Sequence, residues 1–419
     1  MFARRRYAHG PTWAISALSC AHNGVVSSAP SQWGSSGLAY LTGLPDGPPD
    51  FSRARVLTRA EQVASVIGNR TDIAVDAAAL LTGRAGFLGL TRGGRVSAGG
   101  GTRLLAGRDG WCAITLSRPD DVTAVPALLQ VDEVPVDAWP MLQQWAATRP
   151  VSAITEQAGL LDIPAAALGE AAATAPGIRR MGSRVSARGV AGLLVADLSS
   201  MWAGPLCGQL LARAGATVVK VESPCRPDGT RKGNHAFFDW INGEKLSYCV
   251  DFDSEADELR ELLAVADIVI EGSRAAALAR RRLGPDHVAP RAGRIWLRVN
   301  GYDDSGRPAF GDDAAIAGGL AGSSAHGPVF CGDAIADPLT GLEATSVVAE
   351  ALGRGGGELI HVSMAAVAAT YAALPAEASV SEYPAPPPPV PPASRPAAEL
   401  GADNHVVRHL VSERHCLSC

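Results

Sequence analysis

The stretch LLVADLSSMWAGPLCGQLLARAGATVVKVE, Leu193 to Glu222, decides the fold class. It reads as strand, loop, helix, glycine stop and second strand, the opening of an α/β domain whose first helix can hold a phosphate at its N-terminus. Ala203, Leu206, Cys207, Leu210, Leu211 and Ala214 recur at spacings of three and four, which gives the helix one apolar face, while Gln209 and Arg213 point elsewhere. Gly215 supplies the stop. Such a segment normally begins an α/β protein. Here it lies almost halfway along 419 residues, so the chain before it needs its own account.

Downstream, strand and helix alternate as a parallel sheet requires. Strands are predicted near 193–197, 217–221, 267–271, 294–299 and 358–363, with helices between them. Ser254, with Asp257 three residues on, reads as the start of a helix carrying Leu259, Leu262 and Leu263, and ADIVIEG follows it as a buried strand. The fold class expected is α/β: a doubly wound, Rossmann-like parallel sheet domain over 190–375 with a smaller α+β domain. Ala385 to Arg395 is proline-rich and extended, a tether rather than a core element, and LGADNHVVRHL forms a capped helix within 384–419.

Upstream, residues 1–30 are low in pattern and read as irregular. Residues 31–178 form the smaller α+β region: a small-residue helix from Gln32, a helical stretch around Val63 to Ile67, and TDIAVD as a short strand running into an apolar helix. Gly99, Gly100 and Gly101 form a loop, and Asp109-Gly110 is a hairpin turn between β-patterned runs. Residues 121–175 are mostly helical by periodicity. Residues 176–190, rich in Gly, Arg and Ser, read as a linker.

Composition narrows the function. With 47% hydrophobic and 19% charged residues the chain is globular, and a formal charge of -5 leaves no electrostatic footprint for nucleic acid. The eight cysteines are scattered and several lie in apolar runs, which suits reduced thiols in a cytoplasmic protein. The terminal Cys416-Leu417-Ser418-Cys419 has metal-like spacing without a second pair, so no metal site is expected. No run of about 18 apolar residues occurs, so no membrane span is expected.

Seven short motifs stand in register from the opening segment on. After Leu193–Glu222 come PDGTR (Pro227–Arg231), NGEKLSYCVDF (Asn242–Phe252), ADIVIEGSR (Ala266–Arg274), WLRVNGY (Trp296–Tyr302), ADPLTGL (Ala336–Leu342) and IHVSM (Ile360–Met364). In these the chain resembles the family III CoA transferases of CaiB/BaiF type, a group that includes α-methylacyl-CoA racemases. QWGSSGLAYLTGLPDGPP, IAVDAAALL and AGGGTRLLAGRDGWCAI are similar to the later half of the same family, with its mobile glycine loop. The resemblance thus implies that the two halves stand in permuted or fused order.

What the resemblance implies is CoA transfer between an acyl-CoA thioester and a carboxylic acid, with coenzyme A as substrate and no tightly bound cofactor. A carboxylate can attack a thioester carbonyl to give a mixed anhydride. In the family that carboxylate is the Asp of the ADPLTG motif, here Asp337; read from the residues alone, an Asp in a Pro/Gly turn is more often structural. Asp313, in Gly311-Asp312-Asp313, keeps the family's acid and is expected to orient substrate or tune Asp337. Asp312 stands where the racemases carry their His base, which argues against proton abstraction. CoA is expected on Ser200, Met201, Trp202 and Ala203 at the helix start, with Lys245 and Arg274 and, more weakly, Arg231 supplying charge.

Gly99, Gly100 and Gly101 are expected to act as a lid over the reacting acyl group. Two departures from the family pattern are His361, where an Asp is usual, and Ser223, where a basic residue is common. Family subunits interlock as dimers, so the permuted chain is expected either to close within itself or to exchange halves with a copy as a homodimer. The competing readings are a non-catalytic member or a racemase/isomerase relative, and an NAD(P)-dependent oxidoreductase with Glu222 as ribose-binding acid. Against the last, SSMWAGPLCG lacks GxGxxG.

Overall fold

The computed structural model describes residues 28–272, 275–303, 306–378 and 383–416. A hairpin, β1 (Thr102–Ala106) and β2 (Trp111–Thr115), pairs with β3 (Ala165–Ala167) to make a small antiparallel sheet. The main sheet has seven strands: β4 (Gly177–Arg180), β5 (Leu194–Asp197), β6 (Thr217–Glu222), β7 (Leu246–Cys249), β8 (Ile268–Glu271), β9 (Ile295–Asn300) and β12 (Glu358–Ser363). A second hairpin, β10 (Ala321–Ser324) and β11 (Gly327–Phe330), stands apart.

The main sheet runs in the order β4-β12-β9-β8-β5-β6-β7. Every pairing in it is parallel except β12 with β4. Chain order reverses between β5 and β8, which is the switch point where doubly wound sheets open a crevice at the carboxyl ends of their strands. All five predicted strands are present to within a residue or two at each end.

The quoted stretch folds as its pattern dictates. Leu206, Cys207, Leu210 and Leu211 on the Ala203–Arg213 helix are fully buried, each leucine side chain contributing about 1.5–3 kcal/mol by leaving water. Gly215, at φ 90°, turns the chain back into β6. The helix crosses the Ala336–Gly353 helix closely. A methyl group on Gly341 would lie 2.9 Å from the Ala203 carbonyl, so the start of the first helix crosses the second turn of the other.

Several local expectations differ. Residues 72–76 form no strand; Asp76 instead caps the Ala77–Leu88 helix, its carboxylate accepting the Ala79 N–H. The expected linker contributes β4, because the open edge of β12 can still accept a partner. Ser254 does not cap its helix, which begins at Ala256; the Asp251 carboxylate takes the Asp253 and Ser254 N–H groups. The helices Arg55–Thr71 and Ala77–Leu88, expected within the smaller region, bury Leu57, Ile67 and Leu81 in one cluster with Leu206, Leu339 and Val348 of the main domain. The three-stranded sheet keeps its own core, with Ile114, Leu128, Leu142 and Ile154.

The proline-rich segment is more than a tether: Pro388 is buried, and carbonyls of the segment pass close over Gly34, Gly86 and Gly243. The helix after it, Asn404–Cys416, is anchored where Asn404 bonds both the N–H and the carbonyl of Cys249 on β7. Of residues 1–30, only 28–30 are described, and they begin the Ala29–Ser35 helix.

Candidate active site

Asp337 sits in the first turn of the Ala336–Gly353 helix, partly exposed, its N–H bonded to the Ala334 carbonyl at 2.9 Å. Ala334 is held at φ 42°, a left-handed conformation that L side chains rarely adopt. Gly311, at the start of the Gly311–Ala317 helix, faces the same turn. A methyl group there would lie 2.3 Å from Asp337 Oδ2 and 2.4 Å from the Ala334 carbonyl oxygen. The nucleophile of the sequence reading thus rests against bare backbone.

Three more carboxylates gather around it. Asp312 Oδ1 accepts the Ala334 N–H at 3.1 Å and Oδ2 receives the Thr102 hydroxyl at 3.5 Å, so it joins three segments: the turn before Asp337, the helix start and the small sheet. Asp313 is fully buried; its Oδ1 accepts the Phe310 N–H and the Thr115 hydroxyl, and its Oδ2 has no partner among the described residues. Asp333 is also fully buried and pairs with Arg84 at 2.5 Å. Neither Asp333 nor Arg84 was singled out from sequence.

Arg84 lies on the inward face of the Ala77–Leu88 helix, one turn after Leu80 and Leu81. Its guanidinium stands 5.8 Å from the ring of Trp202 and 6.0 Å from that of Phe237. The glycine turn covers it. A methyl group on Gly99 would be 3.3 Å from Arg84 Nη2, so Gly99 lies directly over the ion pair. Gly100 stands at φ 80° with open space beside it, and its N–H bonds the Ser97 carbonyl at 2.8 Å.

Four acids and one guanidinium make an unbalanced site. Burial pushes Asp337 up to about 7; Arg84 pulls against this while Asp312, Asp313 and Asp333 add to it. Asp313 rises to about 7, from burial opposed by its two hydrogen bonds, and Asp312 to about 6, from burial and Asp333. Asp333 is also raised by burial, with Arg84 opposing. A partly exposed acid poised near neutrality suits nucleophilic or proton-transfer chemistry.

The residues expected to bind CoA divide into two groups. Ser200 and Met201 are exposed at the mouth of the crevice. The Met201 N–H, however, is turned onto the Asp228 carboxylate at 3.2 Å, with Met201 at φ 72°, so this amide is not free for a diphosphate. Ala203 is buried. Trp202 is buried too, packed edge-on to Phe237 at 5.3 Å, and its indole N–H has no partner among the described residues.

Lys245 does not reach the surface. Its ammonium, 2.9 Å from Asp197 and 2.8 Å from the Pro205 carbonyl, is enclosed because Gly208 leaves room for it beneath the helix. Arg231 is likewise committed, to Glu222 at 2.6 Å and to the Ala398 carbonyl at 3.1 Å. With one Glu222 oxygen also taking the Asp228 N–H, that acid is not available to a ribose, which removes the basis of the oxidoreductase reading. Arg274 lies outside the described residues, as do residues 417–419 of the terminal cysteine pair. His361 is half-buried in register with Arg298, its Nε2 without a partner among the described residues. Among those residues no group of three acids, His or Cys is placed to hold a metal, and no helix is long and apolar enough to cross a membrane.

Comparison with known proteins falls on the same half of the chain. Residues 190–395 match the sequence model of the family described as CoA-transferase family III. A succinate–glutarate CoA-transferase from Agrobacterium fabrum is 30% identical over 203 residues, covering 42% of this chain and 50% of the relative. The succinyl-CoA–L-malate CoA-transferase beta subunit of Chloroflexus aurantiacus is 34% identical over 173 residues, 36% of this chain and 42% of its own. A crystal structure of a CaiB/BaiF family protein from Brucella suis is 28% identical over 44% of this chain and 55% of that one, with a TM-score of 0.40. The chain thus spans about half the length of the curated relatives it matches.

Proposed function

We propose that this chain, whose residues 190–395 match the model of CoA-transferase family III, is a member of that family and moves CoA between an acyl-CoA thioester and a carboxylic acid with Asp337 as nucleophile. The observation that carries the reading is Asp337 itself, a partly exposed carboxyl at a helix start, raised to about 7 and faced by the bare backbone of Gly311. The ionised Asp337 attacks the acyl-CoA carbonyl; the C–S bond breaks and CoA leaves as thiolate, giving an aspartyl acyl anhydride. The thiolate then attacks the aspartyl carbonyl, which releases the first acid and leaves CoA on Asp337 as a thioester. A second acid and the same two steps in reverse give the new acyl-CoA and restore Asp337.

Asp313 and Asp312 act here as positioning residues. Asp313 fixes the helix start and adds charge near Asp337 without touching substrate, since it is fully buried. Asp312 ties the glycine-bearing sheet to the turn before Asp337, a role that disfavours the racemase base. Ser200 and Met201 form the exposed edge for the CoA arm, and the Trp202 ring backs the site. Gly99 to Gly101 serve as the lid. Because Arg84 and Gly99 from the preceding half meet Asp333 of the family half, the geometry favours a site complete within one chain.

The test is trapping. Incubation with acetyl-CoA, succinyl-CoA or longer thioesters, followed by hydroxylamine or borohydride and peptide mass spectrometry, is expected to mark Asp337. Asp337→Asn is expected to lose the mark and to lower turnover at least about 10³-fold. Absence of any adduct and of CoA binding with every thioester would overturn the reading.

A further inference from the structure

We propose that Arg84, contributed by the half of the chain that precedes the family match, is the anchor for the carboxylate of the reacting acid. The inference rests on the transferase reading above and adds the residue that receives its second substrate. The transfer brings an anionic acid up to an aspartyl thioester. A cleft holding Asp312, Asp313, Asp333 and Asp337 repels such an ion unless a cation offsets them. Among the described residues, Arg84 is the cation whose charge bears on Asp312, Asp333 and Asp337 alike.

Its geometry fits the task. Only Nη1 is engaged, on Asp333; among the described residues Nε and Nη2 bond no acceptor. The side chain is 26% exposed, whereas Asp333 beneath it is fully buried, so the pair is open on the guanidinium side alone. The free edge lies under the Gly99 turn, and the rings of Trp202 and Phe237 flank the group within about 6 Å. Asp333 is four residues before Asp337, and the intervening Ala334 bonds both Asp312 and Asp337, so the anchor and the nucleophile share one rigid turn. A planar fork with two free donors on a fixed support matches a carboxylate in two-point contact. Lysine, a point charge, would not.

Arg84→Gln alone leaves Asp333 buried without its partner, so the informative variant is the neutral pair Arg84→Gln/Asp333→Asn, with Arg84→Lys beside it. Acetate, succinate and glutarate are titrated into the full-length protein by calorimetry and offered as acceptors with acetyl-CoA. The tightest acid is expected to lose at least about tenfold in affinity and in KM in the double variant and several-fold in Arg84→Lys. The affinity for free coenzyme A stays as in the wild type. Unchanged acid affinity and KM in a folded double variant, or no acid bound by the wild type, overturns the assignment. Loss of CoA binding together with acid binding also overturns it, since that points to collapse of the cleft. An absent Asp337 mark in the wild type is the separate failure of the transferase reading.

Discussion

Two buried clusters of acids and cations lie within this fold, opposite in balance. Beneath the loop after β5, Asp197 pairs with Lys245, Asp228 with Lys220, and Glu222 with Arg231. Around Asp337, four aspartates share Arg84. In the first cluster burial opposes the charge of Asp197 and Asp228, but the neighbouring lysines outweigh it and both carboxyls fall below their ordinary range. In the second, burial wins and the carboxyls rise. Matched charges hold backbone: Lys220 also binds the Ser199 carbonyl, and Asp228 holds the Met201 N–H in its left-handed turn. Unmatched charges stay available for reaction.

The largest expected effect comes from unbalancing the matched cluster. Lys220→Met leaves Asp228 buried and unpaired, which is expected to cost about 3–5 kcal/mol of stability, read from the urea midpoint. An unchanged midpoint would mean that the network contributes little to the fold.

On the unmatched side, Gly311→Ala pushes a methyl group against Asp337 and the Ala334 carbonyl. Displacement of the proposed nucleophile and its turn is expected to lower kcat by roughly 10²-fold and, because the Ala334 carbonyl is backbone, to cost about 1–3 kcal/mol of stability. A fall in stability without a fall in kcat would place the strain elsewhere.

The two clusters also respond oppositely to pH. Asp313, near 7 when folded and 3.8 as a free side chain, contributes stability that is full below pH 3.8 and is lost as pH rises through about 7. Asp313→Asn keeps an oxygen for Phe310 and Thr115, and puts its amide where Oδ2 has no partner. It is expected to raise the urea midpoint at pH 8, equivalent to about 1–2 kcal/mol, and not at pH 4; equal gains at both would exclude ionisation as the cause. Asp197 and Asp228 behave the other way, their contribution being present above pH 3.8 and lost on acidification. Turnover through Asp337, which must be ionised to attack, should rise with pH up to about 7.

The smallest effect is in the lid. Gly100→Ala forces an L side chain to φ 80° in open space, expected to cost about 1–2 kcal/mol locally and a few-fold in kcat while CoA affinity holds. A change in CoA affinity alone would assign the turn to binding rather than closure.

The core domain was legible because β6, β8 and β9 are short strands rich in Val and Ile and the Ala203–Arg213 helix keeps its period; burial and local pattern agree there. The proposal for Asp337 comes only from its motif, since a Pro/Gly turn and a helix start look alike in sequence. Lys245 and Arg231 were assigned to ligand because nothing local distinguishes a surface cation from one enclosed by residues 48 and 9 positions away. Arg84 had a signal that went unused: a lone charge on the inward face of an apolar helix has to meet an acid somewhere. Its partner lies 249 residues away, beyond any periodicity.

The proline-rich segment gives that distance a kinetic meaning. From Pro384 to Arg395 it passes over Gly34, Gly86 and Gly243, then fastens through Ala397 to Asp239 and through Asp403 to Ser247. It therefore spans the helix carrying Arg84 and the helix carrying Phe237 like a belt drawn across two plates. Held so, the two helices part only when the belt lifts as well, which opposes any local opening that would draw the guanidinium from its aspartates. A nick in the belt would leave Arg84 and Asp333 on one chain but let the two plates part on their packing alone.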